Sequence, residues 1–125
     1  MKKFVSIEFG SRGEVESIEL VEKGVEVLEK EFKEFVERFK EDCEDEEEFE
    51  SYNEFFGFDY FKNRGYVSEG RGEEWYFIYV DFDKYEDLCN ELLEIDKKVE
   101  NDEIEYWEYV NRVNEIVNIV MGYSN

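Results

Sequence analysis

Val5, Ile7 and Phe9 alternate with Phe4, Ser6 and Glu8, a period of two that predicts a strand with one buried face. Gly10-Ser11-Arg12-Gly13 interrupts it. The next stretch, Glu14 to Leu20, reads either as the returning strand of a hairpin or, with Ser11 and Glu14 as a capping box, as the opening of a long helix. Further on, Ile18, Val21, Val25, Leu28, Phe32, Phe35 and Phe39 recur at spacings of three and four. That spacing marks one stripe of a helix expected from about Val21 to Lys40. Such a stripe can form a coiled-coil seam, but Gly24 breaks it and its many Phe residues suit packing against a sheet of the same domain.

Glu41 to Glu50 holds eight acids in ten positions, and Tyr52, Phe55, Phe56, Phe58, Tyr60 and Phe61 follow. Lys62-Asn63-Arg64-Gly65 reads as a turn, Tyr66-Val67 as the start of a returning strand, and Gly70-Arg71-Gly72 as a second turn. Trp75 to Phe82 is apolar on both faces, which predicts a central strand covered by helices. Asp83 with Glu86 forms a capping pair for a helix carrying Tyr85, Leu88, Cys89, Leu92, Ile95 and Val99. Asn101 or Asp102 can cap a last helix, with Ile104, Trp107, Val110, Val113, Val117 and Val120 on its apolar stripe. Tyr106, Tyr109 and Ile116 widen that stripe, and Gly122 stops the helix. The expected fold is α+β: one domain over residues 1–125, in which a small antiparallel sheet of three to five strands packs with about three helices.

Charge changes the picture. The chain has 125 residues, with 36 Asp or Glu against 15 Lys plus Arg, for a formal charge of −21. An acidic disordered tail would be poor in aromatics, whereas 18% of this chain is Phe, Trp or Tyr, so folding is expected. Ala, Thr, Gln, Pro and His are all absent. Every codon for those five carries cytosine in its first or second position, which points to a cytosine-poor gene of the kind expected in a virus, a mobile element or an AT-rich host.

Without His, the usual neutral-pH general base, His-ligated zinc and Ser-His or Cys-His pairs are absent. Cys43 and Cys89 lie far apart, without a CxxC, and read as packing thiols of a cytosolic protein, with a disulfide as the second reading. Met1-Lys2-Lys3-Phe4 runs straight into the first strand, so no signal peptide is expected. No apolar run approaches the roughly 18 residues of a bilayer span, and anionic lipid repels this charge, so no membrane partner is expected. The expected location is the cytoplasm, that of the host cell for a viral gene.

No site motif names a reaction. The EF-hand pattern is missing, and Asp81 with Asp83 makes a D-x-D at the end of the strong strand that can hold Mg²⁺, although Asp83 is also explained as a cap. The six Ser have no identifiable base, and Gly70-Arg71-Gly72 is too short for a P-loop. No catalytic residue, metal site or cofactor is therefore assigned. Direct nucleic-acid binding is opposed by charge, since phosphate neutralisation by Lys and Arg dominates it; Arg12, Lys62, Arg64 and Arg71, all in predicted turns, are few against −21.

The opposite polarity fits better. If Glu41 to Glu50 is one helix, its eight carboxylates line about 15 Å of axis, roughly one per 2 Å against one per about 1.7 Å in duplex DNA. The bland alternative is a solvated run that keeps the protein soluble. The stretch Glu44-Asp45-Glu46-Glu47-Glu48-Phe49 resembles an acidic helix start in a phage inhibitor of an RNA-guided nuclease. In size and acidity the chain is similar to the DNA-mimic counter-defence proteins of phages and mobile elements, of anti-restriction and anti-CRISPR type.

The resemblance implies a non-enzymatic inhibitor that occupies a basic groove of a nucleic-acid-binding protein such as a CRISPR effector or a restriction enzyme. Its expected contacts are Glu44, Asp45, Glu46, Glu47, Glu48 and Glu50, with Tyr52 and Phe55 as aromatic anchors beside them. The aromatics can equally be core. Two rivals stand beside this reading: a homo-oligomeric structural or scaffold protein, a homodimer included, that uses the apolar stripe of residues 18–39 or the last helix, and a carboxylate or Mg²⁺ enzyme around Asp81.

Overall fold

A computed structural model of the chain describes residues 1–10, 12–56, 66–71 and 75–122, with side chains described for 1–10, 12–51 and 77–122. Eight elements follow in order: β1 (Lys2–Phe9), β2 (Val15–Lys23), α1 (Val25–Asp42), α2 (Glu46–Phe56), β3 (Tyr66–Arg71), β4 (Trp75–Asp81), α3 (Glu86–Glu100) and α4 (Tyr106–Met121). The class is α+β. All strand pairs are antiparallel, in the order β2-β1-β4-β3, so β1 and β4 are interior and β2 and β3 form the edges.

The alternation in β1 implies one buried face, yet both are buried. Val5, Ile7 and Phe9 are at most 1% exposed and Phe4, on the opposite face, is 0% exposed. The register explains why. Phe4 faces Val21 and Lys2 faces Lys23 across the β1–β2 ladder. On that same face Lys23 reaches Glu31 of α1 at 3.0 Å and lies over the Tyr79 ring, 5.2 Å from its centroid. α1 therefore covers this side. Leu92 and Ile95 of α3, and Val113, Ile116 and Val120 of α4, are buried in the same core as Val5, Ile7, Ile78 and Val80, so the α3–α4 pair covers the other. The strong strand is central, as its apolar faces imply, but it ends at Asp81.

The ambiguous stretch is strand from Val15 onward, and the helix begins at Val25 rather than Val21. Ile18 pairs with Ile7 and Val21 with Phe4; three residues apart on a strand, they face opposite sides, and their fit to the helical stripe is accidental. A bulge leaves Glu16 without a partner, since Ser17 faces Glu8 and Val15 faces Phe9. Gly24, in an extended conformation, is the N-cap of α1, and its carbonyl accepts from Val27 and Leu28.

Three boundary signals also differ from expectation. The Asp83 amide donates to Asp81 Oδ1 at 3.0 Å, and Tyr85 rather than Asp83 is the N-cap of α3. Asn101 closes α3 instead of opening α4, Asp102 turns the chain at φ 57, and Glu105 is the N-cap of α4. Gly122, at φ 78, ends α4 as expected, in the left-handed region that glycine enters without steric cost. Gly70 and Arg71 belong to β3, not to a turn; Lys62 to Gly65 and Gly72 lie outside the described residues.

α3 and α4 are clamped by Arg112. Its Nη2 donates to Glu91 Oε1 at 2.8 Å and its Nε to Glu91 Oε2, while Nη1 donates to Glu115 Oε2 at 2.9 Å. The bidentate guanidinium bond is the main cause holding the Glu91 carboxyl below its usual value, against the opposing effect of burial. Arg112→Ala should lower stability by about 1 kcal/mol near neutral pH, the scale of a partly exposed ion pair. A depressed carboxylate contributes above its unfolded pKa and loses that contribution as pH falls through the lower folded value. Urea titrations should therefore show the variants' difference shrinking below about pH 4.5, the unperturbed value.

Candidate acidic interface at the turn between α1 and α2

α1 ends at Asp42, and Cys43 leaves the helix in an extended conformation, its amide donating to the Lys40 carbonyl at 3.3 Å. Three residues later α2 starts. Asp45 Oδ1 accepts the Glu48 amide at 2.8 Å, as an N-cap side chain does. Glu48 Oε2 reaches back to the Glu44 amide at 2.7 Å. The run is therefore a helix end, a turn and a helix start, and the continuous ladder of charge expected along one helix does not form. Its cause is local: Asp45 and Glu48 satisfy amides at the start of α2 that an unbroken helix would have bonded internally.

The break also relieves part of the repulsion. Glu46, Glu47 and Glu48 lie in the first turn of α2, where the partial positive charge of the helix end favours carboxylates by tenths of a kcal/mol each. Phe49 turns inward, its ring 5.8 Å from Phe39 in an edge-on contact, and Lys40 Nζ lies 5.0 Å from the Phe49 centroid. Phe39 in turn packs on Phe35 at 5.7 Å. These aromatics fold α2 back against the end of α1.

Outside remain Glu41, Asp42, Glu44, Asp45, Glu46, Glu47 and Glu50, all exposed, with Glu48 half-buried. At 3.6 residues per turn, Glu46, Glu47 and Glu50 span an arc of about 100° on α2, with Glu46 and Glu50 about 6 Å apart along the axis. No Lys or Arg occurs from position 41 to 61. Of the expected contacts, Glu44, Asp45, Glu46, Glu47, Glu48 and Glu50 thus come together at one corner, with Asp45 and Glu48 also serving as structural caps. Tyr52 and Phe55 lie in α2, but their side chains are outside the described residues.

Cys43 reports the field of this corner. Desolvation first, and then the charges of Glu48, Asp42 and Asp45, push its thiol up from the ordinary value. Cys89 is fully buried and pushed up to about 12, chiefly by desolvation. Iodoacetamide at pH 8 to 9 should label Cys43 before Cys89, and more slowly than free cysteine, because the thiolate is the nucleophile. Asp42→Asn with Glu48→Gln should speed that labelling. Unchanged kinetics by mass spectrometry would mean that the carboxylates exert no net field there.

The other constellations are engaged in structure. Asp81, 4% exposed, receives Lys2 Nζ at 2.5 Å on Oδ2 and the Asp83 amide on Oδ1, so the D-x-D ties the N-terminal strand to the end of β4. Among the described residues no group of three His, Cys, Asp or Glu is placed to hold a metal ion, and no helix is long and apolar enough to cross a membrane.

One exposed feature contradicts the expected stripe of α4. Trp107 is 64% and Tyr106 50% exposed, although Val113, Val117 and Val120 of the same stripe are buried. The sequence held a signal for this, since both aromatics stand among Glu103, Glu105 and Glu108 at the start of the helix rather than among its Val and Ile residues.

No family model matches the chain, and neither the curated proteins nor the solved structures contain a match.

Proposed function

We propose that the protein is a non-enzymatic acidic inhibitor that occupies a basic, nucleic-acid-binding groove of a host DNA- or RNA-processing protein, of the anti-restriction or anti-CRISPR kind. The observation that carries this reading is the α1–α2 corner, where seven exposed carboxylates stand together in a stretch without Lys or Arg. A fixed helical corner holds those charges at set spacings, and electrostatic complementarity of this sort steers encounter and selects partners. With the charge ladder broken at residues 43–45, the mimicry is of a patch of phosphates and not of a linear backbone.

The test is capture from a host lysate at 50 mM and then 500 mM salt, followed by competition with duplex DNA and RNA. Expected are nucleic-acid-binding proteins that are retained at low salt, released at high salt and displaced by nucleic acid. Retention of proteins indifferent to both treatments would overturn the reading.

A further inference from the structure

We propose that the start of α4, with Trp107 as its anchor, is a second docking surface, made for a basic protein surface that carries an apolar pocket. Trp107 and Tyr106 are the two most exposed aromatic side chains among the described residues. Tyr106 is also held in place. Tyr106 Oη donates to the Val15 carbonyl of β2 at 3.3 Å, and its ring lies 6.0 Å from that of Tyr109, which is buried and donates to Asp96 Oδ1 at 2.8 Å. A solvent-facing Trp beside a fixed Tyr is the composition found at interface hot spots, where large aromatic area is buried.

Charge selects the occupant. Glu100, Asp102, Glu103, Glu105 and Glu108 flank the aromatics and are all exposed; of the two lysines in the last turn of α3, Lys98 is paired with Glu94 at 3.2 Å. The helix end accounts for Glu105, at the N-cap, and Glu108, in the first turn, but not for Glu100, Asp102 and Glu103. A second copy would bring two such rims face to face, and an anionic lipid surface or nucleic acid would be repelled in the same way. A basic protein surface gains from both parts: its cations meet the rim and its pocket takes the indole. This surface stands independently of the one at residues 41–50.

The test uses the full-length chain, labelled with ¹⁵N, and two peptides of equal positive charge, one alternating Lys with Leu and one of Lys with Gly. Trp107→Phe assigns one of the two indole signals. The Lys-Leu peptide should shift the Trp107 indole and the amides of residues 100–108, and should bind at least tenfold more tightly than the Lys-Gly peptide. Trp107→Ala should erase that tenfold preference and Trp107→Phe should retain most of it, with unchanged melting temperatures. Equal affinities for the two peptides, an unaltered preference in Trp107→Ala, or shifts confined to residues 41–50 would overturn the proposal. A dimer in sedimentation that Trp107→Ala dissociates would assign the face to a second copy and overturn it as well. Silence at residues 41–50 with a full response at Trp107 would count against the groove reading alone.

Discussion

Phe4→Ala should lower the free energy of unfolding by about 3–5 kcal/mol, the cost of emptying a fully buried aromatic site. Phe4 is 0% exposed on interior strand β1, with Val21 on one side and Asp81 on the other, and it faces the side of the sheet covered by α1. Neither neighbouring strand can close over the void without breaking its ladder, so little of the cavity should collapse. A domain of this size is stable by about 5–15 kcal/mol, which makes the loss roughly a fifth of the total or more. Urea denaturation followed by far-UV circular dichroism measures it. A loss below 1 kcal/mol would show that α1 is not packed on that face, and the two-sided burial of the sheet would fall with it. Trp107→Ala is the contrast: an equally drastic truncation on an exposed face, expected to stay within about 0.5 kcal/mol.

The same positions show what could be read from the chain. Trp75 to Phe82 announced a central strand because both of its faces are apolar, and Leu28, Phe32 and Phe35 announced a helix because packing on a sheet imposes their spacing. The join between β2 and α1 was not legible, since Ile18 and Val21 keep helical spacing while lying on a bulged strand. What decides there is pairing with Phe4 and Ile7, residues more than ten positions away, and local period cannot report it. Caps failed for a related reason. Asp83 and Asn101 are the right residue types at plausible places, but Asp81 and the last turn of α3 compete for them. The acidic corner was legible as composition and not as shape: eight acids in ten positions conceal that Asp45 and Glu48 are spent on the start of α2. Trp107 was assigned inward by its place on a stripe whose first turn extends past the edge of the core.

If the proposed basic partner is right, replacing Glu44, Glu46, Glu47 and Glu50 together by Lys should weaken binding to it by three orders of magnitude or more while leaving the fold intact. These four are chosen because they are exposed and their side chains make none of the capping bonds held by Asp45 and Glu48. Four charges that each contribute about 1–1.5 kcal/mol across a complementary interface amount to roughly 4–6 kcal/mol, or 10³ to 10⁴ in Kd, and reversal adds repulsion to the loss. Lysines in the first turn of α2 oppose the helix dipole by about 0.3–1 kcal/mol each, so the matching four Gln substitutions serve as the control, and they should weaken binding by about half as much in free energy. Asp45→Ala separates charge from shape. It removes a single charge but the N-cap as well, and should cost about 1 kcal/mol of stability. If Asp45→Ala impairs inhibition as much as the fourfold reversal does, the geometry of the corner governs recognition; if the fourfold reversal leaves inhibition intact, residues 41–50 serve only to keep the protein in solution.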